Sequence, residues 1–113
     1  MTLKEIIDFT DGVKPNAFDE KVKTVWLNEL EYAIQADIFG KTEDFTAHDW
    51  EESGGEEEML VPEPWQKIYY TWLEARIDAA NGEWNEYANA MTLYNTFMGE
   101  YERWYARTYI DEE

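Results

Sequence analysis

Seven apolar residues near the end of the chain recur at spacings of three, four, three, four, three and four: Trp84, Tyr87, Met91, Tyr94, Met98, Tyr101 and Tyr105. This is a heptad stripe, the period that keeps one seam of an α-helix turned toward a neighbour. It demands a helix from about Glu83 to about Thr108, roughly 39 Å long at ~1.5 Å per residue. Asn81-Gly82 breaks the helical pattern just before it, so the last two helices form an antiparallel hairpin. The helix before the break has about 17 residues and reaches only about 26 Å. The C-terminal part of the stripe must therefore project or pack on something else. Gly99 costs ~1 kcal/mol relative to Ala and permits close packing or a bend.

The rest of the chain reads as shorter helices. Thr2-Leu3-Lys4-Glu5 fits a capping box, which starts a helix running to about Thr10. Asp11-Gly12 is expected to stop it, and Pro15 keeps Lys14 out of helical geometry. Asp19 suits a second N-cap. Val22, Val25, Trp26, Leu30, Ala33, Ile34 and Ile38 then recur at threes and fours, with Gly40 as the stop. Pro62-Glu63-Pro64 opens the next helix, with Pro64 in its first turn. Trp65, Ile68, Tyr69, Trp72, Leu73, Ala75, Ile77, Ala79 and Ala80 cover more than one of its faces, which places it at the centre of the fold. The tail Asp111-Glu112-Glu113 is expected to fray.

Residues 41–63 break the helical pattern. Over 40–64 there are nine acids and one base, net −8, while the other 88 residues carry net −9 of the total −17. The segment fits an exposed β-hairpin turning at Gly54-Gly55, or a loop. The expected fold is thus all-α: about four helices, a long last one, and an acidic loop or hairpin insertion at about 41–61, within one domain spanning 1–113.

Composition narrows the function classes. The chain has no cysteine, which excludes disulfides and thiolate chemistry. No apolar run approaches the length of a membrane span, and the N-terminus shows no signal-peptide stretch. The strong negative charge argues against specific nucleic-acid binding or adhesion to an anionic membrane. His48 is the only histidine and sits in polar, acidic surroundings, so it reads as a solvated loop residue. Glu51, Glu52, Glu56, Glu57 and Glu58 lack EF-hand ligand spacing, and with Asp49 they read better as an acidic docking loop than as a metal site. No cofactor, metal or catalytic residue is expected.

Nineteen aromatic side chains, six of them Trp, exceed what one small core readily holds. Some should lie where a partner covers them. The interface candidates are Trp26, Trp65, Trp72, Trp84, Tyr94, Tyr101 and Trp104. Arg103 and Arg107 join them, a pair at i and i+4 that could meet an acidic surface on a neighbouring copy.

Four stretches carry a family likeness: Thr2-Leu3-Lys4-Glu5-Ile6-Ile7; Lys14-Pro15-Asn16-Ala17-Phe18; Lys23-Thr24-Val25-Trp26-Leu27-Asn28-Glu29-Leu30-Glu31; and Leu60-Val61-Pro62-Glu63-Pro64-Trp65. The last continues into Tyr69-Tyr70-Thr71-Trp72-Leu73-Glu74-Ala75-Arg76-Ile77-Asp78 and Asn81-Gly82-Glu83-Trp84-Asn85-Glu86-Tyr87. Through these the chain resembles the small helical head-tail connector (adaptor) proteins of tailed bacteriophages, especially those of phages and prophages of Gram-positive bacteria. The resemblance implies a few α-helices with an intervening loop. It implies a homo-oligomeric ring under the portal protein that receives tail-side head-closure proteins, and a place in the virion after assembly in the bacterial host cytoplasm. In such a ring an acidic lumen would let DNA pass without sticking. The alternative function is an acidic phage-encoded binding inhibitor that mimics DNA. Clustering of the acids in one segment, where a mimic needs phosphate-like spacing over a face, counts against it.

Overall fold

The computed structural model describes residues 1–41 and 45–110; the expectations for 42–44 and for the tail Asp111–Glu113 fall outside the described residues. The fold is all-α. Its helices are α1 (Leu3–Val13), α2 (Glu20–Asp37), the single turn α3 (Trp50–Ser53), α4 (Lys67–Ala80) and the long α5 (Trp84–Tyr105). A π-type turn, Ala106–Ile110, continues α5 in wider winding.

The caps form where their chemistry demands. Thr2 Oγ1 accepts from the Glu5 amide and the Glu5 carboxylate accepts from the Thr2 amide, completing the capping box. Asp19 accepts from the Val22 amide at the start of α2. Gly40 takes a positive φ of 71° soon after α2 ends. Three boundaries differ from expectation. Gly12 does not stop α1, because an exposed glycine without φ strain can finish the last turn, which closes at Lys14 instead. Pro64, in a cis peptide with Glu63, stays outside α4, which begins at Lys67. The α-winding of the last helix ends at Tyr105, short of Thr108.

α4 is central: backbone contacts join it to α1, α2 and α5, and none joins α1 to α5. Ile68, Tyr69, Leu73 and Ile77 of α4 are buried, against Leu3, Ile6 and Ile7 of α1 and Leu27, Leu30 and Ile34 of α2. Filling such positions at native density makes each lost methylene felt.

The α4–α5 seam is antiparallel. Trp65 meets Tyr101 and Trp104, Lys67 lies over Phe97, and Trp72 meets Tyr94, so paired numbers rise along one helix as they fall along the other. The heptad stripe faces inward but not evenly. Trp84 is 63% exposed, whereas Tyr101 is 1% exposed. The part that α4 is too short to cover packs on Trp65, which precedes α4, and on Phe39 beyond α2, whose ring stacks on Tyr105. Gly99 is open, with only the Arg103 guanidinium near the place a side chain would occupy.

Helix α2 is rotated relative to its sequence reading. Val22 and Val25 are exposed, while Lys23, Thr24, Leu27, Leu30, Glu31 and Ile34 form the buried face. The correction has a physical cause: two charged residues on that face each have a dedicated partner. Lys23 donates to both oxygens of Asp11 at 2.8 Å, and Asn16 braces the same Asp11 carboxylate at 2.9 Å. A buried ammonium so paired avoids the cost of bare burial.

Candidate docking surface

The acidic segment is a loop, not a hairpin, and it is anchored to the bundle. Among the described residues it holds one helical turn, α3, and one isolated bridge between Thr2 and Glu58. Asp49 caps α3 by accepting from the Glu51 amide, and Gly54 ends it in the left-handed region. Gly55 also has positive φ, 87°, and is buried. A β-carbon there would stand 2.5 Å from the Trp50 ring, so only glycine fits.

Three anchors fix this segment to the bundle. The first is the start of α1, whose early amides have no partner inside the helix. Leu3 N–H donates to the Glu57 carbonyl at 2.9 Å and Lys4 N–H to the Gly55 carbonyl at 2.8 Å. The second is Asn28 of α2. Its side chain both donates to the His48 carbonyl (3.0 Å) and accepts from the His48 amide (2.9 Å).

The third anchor is a polar junction around Glu31, which is fully buried. Glu31 Oε1 accepts from the Leu60 amide at 3.0 Å and lies 2.9 Å from His48 Nε2. Glu31 Oε2 accepts the Tyr69 hydroxyl proton at 2.6 Å, and that hydroxyl accepts from the Val61 amide at 2.8 Å. His48 Nδ1 faces Glu57 Oε1 at 3.1 Å. Glu57 Oε2 in turn accepts from the Asp49 amide and the Ser53 hydroxyl. Both ring nitrogens thus face carboxylates. Only the doubly protonated imidazolium donates to both.

Electrostatics follow the geometry. The hydrogen bond to Glu31 raises the His48 pKa above the ordinary histidine value, against the opposing effect of burial, and Glu57 adds to the rise. Burial pulls Glu57 upward, but the Ser53 hydroxyl, the Asp49 amide and His48 outweigh it and leave Glu57 below the usual glutamate value. Burial, with Glu31 beside it, lifts Tyr69 well above the ordinary tyrosine range. Burial, with the Glu102 carboxylate adding to it, lifts Tyr94 to about 12.

His48, expected in solvent, is therefore only 10% exposed at its side chain and clamps the segment. Glu57 is half-buried and faces inward, and Glu58 accepts from the Met1 amino group at 2.8 Å. Asp49, Glu51, Glu52 and Glu56 remain on the outside, with Glu51 paired to Lys21. Between this rim and α2 runs a groove of about 350 Å³ lined by Lys21, Val25, Asn28, His48 and Trp50.

The expected interface residues divide. Tyr101 is core, a correction that follows from Trp65, Trp104 and Tyr105 closing around it. Trp26, Trp65, Trp72, Tyr94 and Trp104 are half-buried in ring contacts, and Trp72 Nε1 donates to the Trp26 carbonyl at 2.8 Å. Trp84, Arg103 and Arg107 are exposed; among the described residues neither arginine reaches a carboxylate. Exposed apolar residues outside the expected interface set include Phe9, Val13, Tyr32, Leu93 and Tyr109. At the far end, Asp78, Glu83 and Glu86 bring carboxylate oxygens within 4.8 Å of one another. Lys14 already supplies a cation there, donating to Asp78 at 2.6 Å and Glu86 at 3.1 Å.

What these features define is a small all-α bundle carrying an acidic segment clamped by buried polar side chains. In comparisons with protein-family models, curated proteins and solved structures, nothing matches the chain. No helix among the described residues is long and apolar enough to cross a membrane.

Proposed function

We propose that the chain is a structural virion-assembly subunit, a head-tail connector that joins copies of itself in a ring under a portal protein and receives tail-side head-closure proteins. One observation carries this reading. Exposed apolar residues lie on several separate elements of one small bundle: Phe9 and Val13 on α1, Val25 and Tyr32 on α2, Trp84 and Leu93 on α5. Large apolar side chains left in water on more than one face suit a subunit with more than one neighbour. The acidic rim, held in place by the His48 junction, suits a surface presented to a passing polyanion, which like charge keeps from sticking. The sequence likeness to connector proteins points the same way. The DNA-mimic reading is weakened because Glu57 is half-buried against His48 and Glu58 is already paired with the Met1 amino group.

Electron microscopy of the protein mixed with portal rings from the phage that encodes it tests the proposal. The expected result is a ring of added density beneath the portal. Bare portals at saturating protein would overturn it.

A further inference from the structure

α1 and α5 flank α4 without meeting each other. The gap is a groove of about 370 Å³. Phe9 of α1 and Phe97 of α5 form its rims, and Gln66, the cap of α4, with Lys67, Tyr70, Thr71 and Glu74 of α4 form its floor. Each rim repeats one turn away: Val13 follows Phe9, and Leu93 precedes Phe97, at the i, i+4 spacing that shares a helix face. Phe9 and Leu93 are each 51% exposed and Val13 is 59% exposed. The Phe9 ring stacks on Tyr70 at 4.1 Å, which fixes that wall.

The polar groups of the groove have acceptors to spare. Gln66 Oε1 is buried with no hydrogen-bond partner. Glu74 is half-buried, with no hydrogen bond or ion pair among the described residues, and burial raises its pKa above the usual glutamate value. Of the two nearby cations, Lys14 is held by Asp78 and Glu86 and acts on Glu74 only through its charge, and Lys67 lies over the Phe97 ring at 5.5 Å. An acceptor held out of water without a donor is costly and is relieved by a ligand that brings one.

We propose that this groove binds a basic amphipathic helix of another protein, its apolar ridge lying between the Phe9–Val13 and Leu93–Phe97 rims and a lysine or arginine reaching Glu74. Apolar pairs one turn apart on facing rims match the ridge spacing of an α-helix. Charge selects the occupant. A second copy brings −17 toward a molecule that itself carries −17, whereas a basic partner is drawn by the whole field. The inference rests on reading the chain as a docking subunit and names the chemistry of one partner.

The test uses the full chain and a fluorescein-labelled peptide of about 15 residues, with Leu at i, i+3, i+4 and i+7 and Lys elsewhere. Its scrambled isomer, with no apolar face, is the control. Titrations run at about 0.15 M salt, so that diffuse attraction is screened. The amphipathic peptide is expected to bind with a Kd in the range of tens of micromolar, the scrambled isomer about tenfold more weakly. Glu74→Lys, and separately Phe9→Ser with Leu93→Ser, should each weaken binding about tenfold. A Glu51→Gln, Glu52→Gln, Glu56→Gln variant should stay within about twofold. Amide shifts on binding should centre on α4 residues 66–74, which decides the matter even where a variant folds poorly. Equal binding of both peptides, or shifts and losses confined to the acidic rim, would overturn the proposal. So would sedimentation showing that the protein alone dimerises and that Leu93→Asp abolishes the dimer. Loss of the groove with portal binding intact would refute this inference alone, and the reverse outcome would refute only the connector reading.

Discussion

Along the α4–α5 seam the contacts are rings: Trp65 on Tyr101, Trp72 on Tyr94, Trp104 and Tyr105 around Tyr101. Between α2, α4 and residues 48–61 they are two carboxylates, an imidazole, a phenol and backbone amides. Ring packing rests on buried apolar area and ring geometry and scarcely senses pH. The polar junction depends on every donor meeting its acceptor, and on the protonation state of His48. One molecule therefore has a seam that resists solution conditions and an acidic segment whose docking responds to them.

The sharpest way to break the first region is Tyr101→Ala. Removing a ring that is 1% exposed leaves a cavity where three aromatic neighbours meet, and should cost about 4 kcal/mol in urea unfolding, nearly independent of pH. His48→Ala breaks the second region. It leaves Glu31 buried beside an empty site and should cost about 3 kcal/mol. Its signature is local: the amides of Asp49 and Leu60 should lose hydrogen-exchange protection while those of α5 keep theirs.

The pH dependence of the wild type sharpens the contrast. Because the folded pKa of His48 is raised, its contribution is complete below the unfolded value of ~6.5 and is lost as pH rises through the folded pKa. Because that of Glu57 is lowered, its contribution is present above the unfolded value of about 4.5 and is lost as pH falls through the folded pKa. Together they place the tightest docking of the segment between about pH 5 and 6.5. Stability measured from pH 5 to 9 should fall across the upper part of that range in wild type and stay flatter in His48→Gln. The smallest effect belongs to Lys21→Ala. Its ion pair with Glu51 is exposed on both sides, so its loss should leave stability nearly unchanged, with any residual effect gone in high salt.

The two regions also differed in how far the residues alone revealed them. The seam was legible because its signal is periodic: seven residues at heptad spacing define one face, and Asn81-Gly82 defines the turn. The caps at Thr2 and Asp19 were legible because each involves neighbours within three residues. The polar junction was not, since Glu31, His48, Glu57 and Tyr69 come from separate stretches of chain and no local spacing links them. One clue was present. Lys23, Leu27, Leu30, Glu31 and Ile34 form an unbroken helical stripe, and two charges within it implied two buried partners. Following hydrophobicity alone put Val22 and Val25 inside and Glu31 outside. Within the acidic loop the inward pair His48 and Glu57 is hidden for the same reason: a dense run of Glu looks solvated until one of them, Glu57, is given a cation to face.

The central claim is that the acidic segment is a docked part of the fold, fastened by a charged His48 between Glu31 and Glu57. NMR titration of the His48 ring, followed together with exchange of the Asp49 and Leu60 amides, tests it most directly. The account predicts a pKa clearly above ~6.5, both ring N–H protons slow to exchange at pH 6, and amide protection that fades as the ring deprotonates. A pKa at or below that value, with unprotected amides at every pH, would contradict it.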